Sequence, residues 1–570
     1  MRTPFVVGAS AALCLLAAGS AGAAHARAQA ATLGVFPSAT TVRPTGSLPA
    51  GAASAISLAT AIGEQEDAIV VVHGASTVAV TAPESIGPLP LKLFFAHYVS
   101  FGGRLVPDAL RPWDGAARAP EQPNQPIWLQ VTVPQGTAPG TYTGSVSLEV
   151  DGSAQDVPVG VTVFPVTLPP PGRVAGNLLT AFHVAPQTYG KAVGALAGYT
   201  QSAQFQQISP TLYSFLAAYR LSPSTWGYGA PNDRSGYTTS RKWWLDSAGN
   251  MTAQVKPGEF AAMAIPLSNN RTSPSNYVAG LSPLHPEEWC SYLQSVRSFW
   301  QGHGWLDGAF PYLYGLDETG AAGMKIVAQQ AAVLHRCFPG GKELITGNPS
   351  PSNRFLWNGG SNDVDVWVVL ANRYYGRYTV PKLSRQGRSL ATEKLKLIDA
   401  VRARGKQIWT YTYPNTHTPG LTATEPLSDS QMLFMWAALE NIRGVLYGEG
   451  TTSYKGDPFQ SVDRGGAFVL LYPGEGEPVP SARLEQIRDG IENWDLLNIV
   501  RSRHGAAAVR GLLGGAGLFS AGAKGVRLGC TVGCPLKTAT AFSWPTYSAD
   551  ASTPGRLVTA KLRALERASG

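Results

Sequence analysis

Long apolar runs are missing from this 570-residue chain after its first 30 residues. No later stretch reaches the roughly 20 consecutive apolar residues that a membrane-spanning helix needs, so we expect no membrane span. Basic clusters are also missing, because the 45 lysines and arginines are spread along the chain among 37 acidic residues. This spread argues against nucleic acid as a partner. The net charge of +8 is compatible with association with anionic cell-surface polymers.

Cysteine is scarce, with five residues in the whole chain. Cys14 lies in the N-terminal apolar segment, which leaves Cys290, Cys337, Cys530 and Cys534. In an oxidising compartment an even number suggests disulfides, and the local pairing of Cys290 with Cys337 and of Cys530 with Cys534 is the simplest connectivity. Metal binding is the alternative, but no histidine or second Cys-x-x-Cys motif accompanies these four. We expect no metal and no other cofactor.

The first 30 residues have the pattern of a secretory signal peptide. Arg2 precedes an apolar stretch over residues 5–18, and small-residue cleavage sites follow at 24–26 and 28–30. We therefore expect export, with a mature protein that is secreted or periplasmic.

Composition divides the remaining chain near residue 170, where the segment FPVTLPPPGR is typical of an extended linker. Before it, residues 31–168 contain short segments rich in valine, threonine and aromatic residues, which predict a β-sandwich. After it, residues 169–504 alternate between strand-like and helix-like segments. Since no glycine-rich phosphate-binding fingerprint opens any unit, this alternation predicts a (β/α)8 TIM barrel rather than a doubly wound sheet. Residues 505–570 end in an amphipathic helical pattern and are predicted to form a helical tail packed on the barrel.

Two adjacent acids, Asp317 and Glu318, end the strand-like segment PYLYGLDE, which is about the fourth strand of the predicted barrel. Barrel enzymes carry their chemistry at the C-terminal ends of the strands. Neighbours within a regular strand point to opposite faces, but beyond the strand the backbone can turn and bring both side chains to the mouth. A simpler interpretation is that one acid caps the helix that begins near Gly320.

Aromatic residues at other predicted strand ends favour a sugar-binding mouth, since aromatic rings stack on the apolar faces of sugars. About half of them are expected to fill the core instead, as aromatic side chains commonly do. These residues are Trp367, Tyr374, Tyr375, Trp409, Tyr411, Tyr413 and Tyr447.

Five segments resemble, in the same order, recurrent segments of glycoside hydrolase family 123 and its uncharacterised relatives. They are VPDALRPWDG, NQPIWLQVTVPQGTAPGTYTGSVSLEVDG, VTVFPVTLPP, PYLYGLDE and ARLEQIRDGIENWDLL. The resemblance implies a retaining exo-glycosidase for β-linked N-acetylhexosamine of the N-acetylgalactosamine type, in which the sugar's own 2-acetamido oxygen attacks the anomeric carbon. By position, Glu318 would then be the general acid and base, and Asp317 would orient the acetamido group.

Further positions are predicted to bind the substrate. Tyr413 resembles a tyrosine that holds the acetamido group, and Trp367 resembles a pocket wall, with core packing as the alternative for both. His183 and Arg220 are candidates for hydrogen bonds to sugar hydroxyls, and a purely structural role is the alternative. Tyr314 and Tyr447 are assigned to the mouth of the barrel.

The sequence departs from the family pattern after the last predicted strand, where relatives usually carry a tryptophan and this chain has Gly448 and Glu449. Glu449 offers a carboxylate from a different strand, so the hypothesis of a glycosidase that uses an ordinary double displacement on a sugar without an acetamido group stays open.

A third hypothesis is a secreted glycan-binding protein without catalysis. The N-terminal sandwich is interpreted as a structural brace, with a carbohydrate-binding module containing Trp113 and Trp128 as the alternative.

Overall fold

A computed structural model describes residues 31–184, 189, 211–224, 255–265, 286–371, 374, 377–378, 385–412, 419–448, 451–452, 454, 456–462, 466, 469–474, 476–519, 541–542 and 551–570. Several predictions fall outside these residues and are not addressed by the structure. They concern the signal peptide, Tyr375, Tyr413, Glu449, Cys530 and Cys534.

The N-terminal domain is built from strands, as the sequence predicts. Its strands are β1 (Thr32–Pro37), β2 (Ile56–Ile62), β3 (Gln65–His73), β4 (Val78–Thr81), β5 (Ser85–Ile86), β6 (Leu89–Phe101), β7 (Arg104–Pro112), β8 (Asn124–Thr132), β9 (Gly140–Val150) and β10 (Ser153–Thr167). One sheet has the order β1-β3-β8-β6, with β5 and β7 also paired to β6, and the other has the order β2-β10-β9-β4. The two sheets share one apolar core. In β10, for example, Val157, Val159, Val161 and Val163 are buried at every second position, which is the pattern of a strand with one face on the core.

The second domain contains a nearly closed ring of parallel strands. They are β11 (Leu179–Phe182), β12 (Ala262–Ala264), β13 (Phe310–Tyr314), β14 (Lys342–Thr346), β15 (Val366–Leu370), β17 (Gln407–Tyr411) and β18 (Gly444–Tyr447), while β16 (Arg377–Tyr378) pairs with the short segment Ala541–Phe542 outside the ring. The order in the ring follows the chain, and β18 returns to pair with β11. The apolar run VWVVL of β15 is buried throughout, as expected for a parallel strand covered on both faces.

The predicted eighth strand is not found among the described residues, which form seven strands in this ring. The gap between β11 and β12 is filled by the irregular segment 221–224. Its Ser222 carbonyl accepts a hydrogen bond from the Phe182 amide at 2.9 Å, and the Ser224 amide donates to the Phe182 carbonyl at 2.8 Å. Pro223 has no amide hydrogen, so this segment cannot extend a ladder toward β12. Among the described strands of the ring β13 is the third in chain order, and it holds the predicted fourth position only when this segment is counted.

Helices surround the ring and form the C-terminal tail. They are α1 (Pro286–Gly302), α2 (Ala321–Cys337), α3 (Arg385–Arg402), α4 (Asp429–Leu439), α5 (Ala482–Gly515) and α6 (Thr553–Ser569), with a 3-10 helix at Pro351–Leu356. A disulfide joins Cys290 of α1 to Cys337 of α2 across a sequence separation of 47 residues. The tail helix α6 packs on α5, and also on β2 and β10 of the sandwich. Among the helices of the described residues, none is both long and apolar enough to cross a bilayer.

The two domains are tightly joined. The outer face of the first sheet, including the fully covered Trp128, packs on the start of α5 at Ala482. In addition, the short strand β19 (Ser461–Val462), which follows the barrel, pairs in parallel with β6 of the sandwich. Trp128 therefore lies in the core, and these contacts support the interpretation of the sandwich as a brace.

Candidate active site

The acid pair follows the C-terminal end of β13, which ends at Tyr314. Gly315 begins the turn, and a Cβ atom at this position would lie 2.4 Å from Oε1 of Glu343, so a larger residue would collide with a buried side chain. Glu318 has a φ angle of +44°, a left-handed conformation that side chains other than glycine adopt at a cost. This turn places Asp317 and Glu318 together at the mouth instead of on opposite faces of the strand.

Asp317 is held by two hydroxyl groups. Its Oδ1 atom accepts hydrogen bonds from the Tyr314 hydroxyl at 2.7 Å and from the Thr346 hydroxyl at 2.6 Å. The Thr346 oxygen in turn accepts a hydrogen bond from the Glu318 amide at 2.7 Å. A single threonine at the end of β14 therefore fixes both acidic residues.

The Glu318 carboxylate reaches across the mouth to β17. Its Oε1 atom accepts a hydrogen bond from the hydroxyl of Tyr411, the last residue of that strand. Within the described part of the chain, Oδ2 of Asp317 and Oε2 of Glu318 make no hydrogen bond. Each acid therefore keeps one oxygen for a ligand.

The capping interpretation does not fit the geometry. Helix α2 begins at Ala321 with Gly320 as its N-cap, no side chain caps it, and its first turn contains no acid. The two carboxylates therefore serve the mouth and not the helix.

A buried acid lies behind the turn. Glu343, on β14, is fully buried, and burial raises its pKa well above the usual range, with Asp365 acting in the same direction. Among the described residues, neither its carboxyl oxygens nor the side-chain amide of the adjacent Gln330 finds a hydrogen-bond partner. Because Glu343 packs directly against Gly315, it contributes to the shape of the turn.

A cavity of about 480 Å³ opens beside Glu318. It extends from the start of α2 over the ends of β14 and β15 to Tyr411, and Phe355 of the 3-10 helix forms part of its wall. Glu318 is the only carboxylate among the described residues that line it, and Asp317 does not line it. This volume is sufficient for a small ligand.

A second cavity of about 480 Å³ lies between the sandwich and the barrel. Trp128, Glu425 and Arg483 are among the residues that line it. Apart from Trp128, which is considered only for a glycan-binding module, none of the candidate site residues lines this cavity, which makes the cavity beside Glu318 the candidate site.

Trp367 and Tyr447 belong to the core and not to the pocket, contrary to the prediction. Trp367 is fully buried, and by strand alternation it points to the face of β15 opposite to Leu370, which lines the cavity. Tyr447 is 1% exposed and packs on Phe182 with ring centroids 5.5 Å apart. Among the other aromatic candidates, Tyr374 and Trp409 are fully buried as well.

Arg220 is also misassigned as a sugar ligand. It is buried and forms ion pairs with Glu492 and Asp495 of α5, each at 3.2 Å. Its guanidinium further donates to the Gly63 carbonyl of the sandwich at 3.1 Å. Arg220 therefore connects the two domains.

His183 and Tyr314 remain at the mouth. His183 follows β11, is half-buried, and its amide donates to the Tyr447 carbonyl at 2.8 Å. Tyr314 contacts Asp317 directly, so it positions an acid in addition to lining the mouth.

Two residues of the site, Thr346 and Phe355, are not predicted from the sequence. Thr346 is a polar residue at the end of a barrel strand, the same signal that identified Asp317 and Glu318, and it could have been selected on that basis. Phe355 lies in the 3-10 helix that follows β14 and carries no comparable signal. In the described ranges, no group of three or more His, Cys, Asp or Glu side chains is placed to hold a metal ion.

Two family models match the chain. The catalytic domain of glycoside hydrolase 123 matches residues 259–500, and the glycoside hydrolase 123 N-terminal domain matches residues 96–150. No curated protein matches the sequence.

One solved structure has a similar fold over nearly the whole chain. A family 123 glycoside hydrolase from Clostridium perfringens is similar with a TM-score of 0.64 at 12% identity, over 94% of this chain and 97% of that chain. An endo-β-1,4-mannanase from Thermotoga petrophila has a TM-score of 0.34 at 10% identity, over 56% of this chain and 77% of that chain. The second similarity is too low to support an argument.

The fold, with an acid pair at the C-terminal ends of its parallel strands, is that of a glycoside hydrolase. The chain belongs to glycoside hydrolase family 123.

Proposed function

We propose that the protein hydrolyses terminal β-linked N-acetylhexosamine, of the N-acetylgalactosamine type, by substrate-assisted catalysis. The observation that carries this proposal is the joint fixation of Asp317 and Glu318 by Thr346. An ordinary retaining pair flanks the sugar from both sides with carboxyl groups about 5–5.5 Å apart. Two adjacent residues held by one hydroxyl serve one side of the sugar, which suits a mechanism in which the substrate supplies its own nucleophile.

In the first step, the acetamido carbonyl oxygen attacks the anomeric carbon as the glycosidic C–O bond breaks. Glu318 donates its proton to the departing oxygen. The free Oδ2 of Asp317 accepts a hydrogen bond from the acetamido N–H. In the second step, Glu318, now a carboxylate, takes a proton from a water molecule that attacks the anomeric carbon and reopens the oxazoline ring. The sugar leaves with its anomeric configuration retained, and Glu318 is protonated again.

The Clostridium perfringens enzyme is described as acting on glycolipid glycans. We propose glycoconjugate glycans as the substrate class of this protein as well. The neutral wall residues beside Glu318, including Asn348 and Ser352, are compatible with sugar hydroxyls.

A panel of aryl β-glycosides tests the mechanism, with N-acetylgalactosaminide, N-acetylglucosaminide, galactoside and arabinoside as substrates. We expect hydrolysis of N-acetyl sugars only, and a loss of about 10²- to 10⁴-fold in kcat for Glu318→Gln, the range of general acid–base catalysis. Asp317→Asn should also lose activity on the N-acetyl sugars. Cleavage of the galactoside or arabinoside would contradict substrate assistance and direct attention to another carboxylate such as Glu449.

We also propose that the protein is exported. The apolar N-terminal segment and the disulfide between Cys290 and Cys337 support an oxidising compartment. Mass spectrometry of the mature N-terminus should find cleavage near residue 26 or 30, whereas an intact N-terminus on active cytoplasmic protein would contradict export.

A further inference from the structure

We propose that the cavity beside Glu318 binds the leaving-group sugar, and that the ring of Phe355 is the platform on which this sugar stacks. The inference rests on the proposed function and adds a specificity-determining residue to it. The leaving-group sugar would be a pyranose that presents an apolar face of C–H groups to the ring.

The lining of the cavity indicates which side of the scissile bond it serves. In the proposed mechanism Asp317 touches only the acetamido group of the sugar that is attacked, whereas Glu318 touches the oxygen that joins this sugar to the leaving group. Glu318 lines the cavity and Asp317 does not. The cavity therefore extends from the bridging oxygen away from the acetamido group, which is the direction of the leaving group.

Phe355 is unusually exposed for a phenylalanine. Its side chain is 40% exposed, and among the described residues three other large apolar side chains are comparably exposed: Leu105, Val558 and Leu562. Those three lie elsewhere, since Leu105 lines the cavity between the domains and the other two belong to α6. An exposed aromatic ring in the wall of a cavity beside the catalytic acid has the position and chemistry for stacking on a sugar.

The backbone around Phe355 is well fixed. The 3-10 helix Pro351–Leu356 begins with a reciprocal capping box between Ser350 and Asn353, and the Asn353 side chain also donates to the Asn348 carbonyl at 3.0 Å. The next two residues, Leu356 and Trp357, are buried at 0% and 3% exposure. Because these two residues are anchored in the core, the backbone at Phe355 is fixed and the ring faces outward. Less conformational entropy is therefore lost when a sugar binds.

Polar groups complete the wall. Lys325 of α2, Asn348 and Ser352 line the same cavity and provide an ammonium, an amide and a hydroxyl group for hydrogen bonds to sugar hydroxyls. Met324 and Leu370 are apolar members of the wall. A wall that combines one aromatic platform with a few polar groups is typical of small-ligand sites.

The test compares two substrates that share the attacked sugar. One is a disaccharide of N-acetylgalactosamine β-linked to galactose, and the other is the 1,2-oxazoline of N-acetylgalactosamine, which has no leaving-group sugar. We expect Phe355→Ala to lower kcat/KM for the disaccharide about tenfold, the upper part of the range for an aromatic contact, and to leave the oxazoline reaction within about twofold. Phe355→Trp should restore the disaccharide reaction, and Leu562→Ala, which removes an equally exposed apolar side chain on α6, should change neither.

The outcomes separate the two proposals. Equal losses on both substrates, or no loss on the disaccharide, would overturn the role of Phe355 while leaving substrate-assisted hydrolysis intact. If the wild-type protein cleaves neither substrate, the proposed reaction is wrong. In that case, isothermal titration with the disaccharide decides the inference: weaker binding by Phe355→Ala than by wild type retains a sugar platform, and equal or absent binding overturns it.

Discussion

A single hydroxyl group organises the acidic pair. Thr346 donates to Asp317 and accepts from the Glu318 amide, so its loss would leave Asp317 with the Tyr314 hydroxyl alone and the Glu318 amide without its partner. The location of Asp317 and Glu318 is predictable from the sequence, because acids that follow an aromatic strand segment stand at a barrel mouth. Their link to Thr346 is not predictable, because that residue is 28 positions from Glu318 and only the register of β13 and β14 brings it near.

Replacing Thr346 tests this organisation. Thr346→Val keeps the shape and removes the hydroxyl, and we expect kcat to fall about tenfold, since each lost hydrogen bond is worth about 1 kcal/mol and one of them involves a carboxylate. Thr346→Ser keeps the hydroxyl and should retain most activity. Steady-state kinetics on an aryl N-acetylgalactosaminide measures both variants, and equal losses in Val and Ser variants would assign the effect to packing.

The surroundings of individual residues also explain why two of them are wrongly assigned to sugar binding. Trp367 and Arg220 are residue types that often bind sugars, but the face on which each points depends on tertiary packing. Trp367 lies on the face of β15 opposite to Leu370, which lines the cavity, and Arg220 forms ion pairs with Glu492 and Asp495. Neither fact can be read from the local sequence.

At the scale of elements, α5 is the main connection between the domains. Its first turns carry carboxylates and two arginines that would be exposed on an ordinary amphipathic helix, but here they are buried, mainly against the sandwich, Arg220 and α6. Among the described residues, one cluster at this interface brings seven carboxyl groups together with three cations. The carboxyl groups are Glu64, Glu66, Asp67, Glu485, Asp489, Glu492 and Asp495, and the cations are Arg220, Arg488 and Lys561.

This excess of buried acid predicts a pH-dependent stability. Burial raises the pKa of Glu492 from 4.5 to about 7 and that of Asp495 from 3.8 to about 7. The folded state therefore holds protons that the unfolded state has already released, so this contribution to stability is present below the unfolded values and is lost as the pH rises toward 7. We expect the melting temperature to fall between about pH 5 and about pH 8.

A variant isolates the cause of the pH effect. Glu492→Gln imitates the protonated side chain at every pH, so its melting temperature should fall less steeply over the same interval. Glu149→Gln, on the exposed face of β9, is the matched control and should keep the wild-type slope. A Glu492→Gln profile parallel to wild type would show that other groups govern the dependence.

The elements also show where the predicted fold departs from the structure. The alternation of apolar segments identifies the parallel strands because buried parallel strands have continuous apolar runs. The position between β11 and β12, where an eighth strand would complete the ring, contains LSPS at 221–224. Its proline prevents a ladder on one side, while the neighbouring amide and carbonyl still pair with β11. A pattern of hydrophobicity does not distinguish such a segment from a strand.

At the scale of the whole molecule, the sandwich and barrel depend on each other. Asp108 of β7 pairs with Arg483 of α5 at 2.8 Å, and both side chains are 1% exposed. Tyr472, in the segment after the barrel, also donates to Asp108. The family resemblance predicts both domains, but it does not predict that charged residues would be buried between them.

Removing one partner of this buried pair should destabilise the entire protein. We expect Asp108→Ala to cost about 3–5 kcal/mol, because it leaves the Arg483 guanidinium buried without its counter-charge. Asp114→Ala removes the exposed partner of the half-buried Arg118 in the same domain and should leave stability nearly unchanged. Chemical denaturation measures both variants, and similar small effects would show that Arg483 finds other partners.

Strand β19 has a consequence for how this protein can be recombined with its relatives. Residues 461–462 come from the chain after the barrel's last strand, yet they extend a sheet whose other strands lie before residue 133. The boundary near residue 168 is therefore a boundary in sequence but not in structure. A chimera that exchanges only residues 31–168 would separate β6 from its natural neighbour, so a functional exchange has to carry the segment around β19 along with the sandwich.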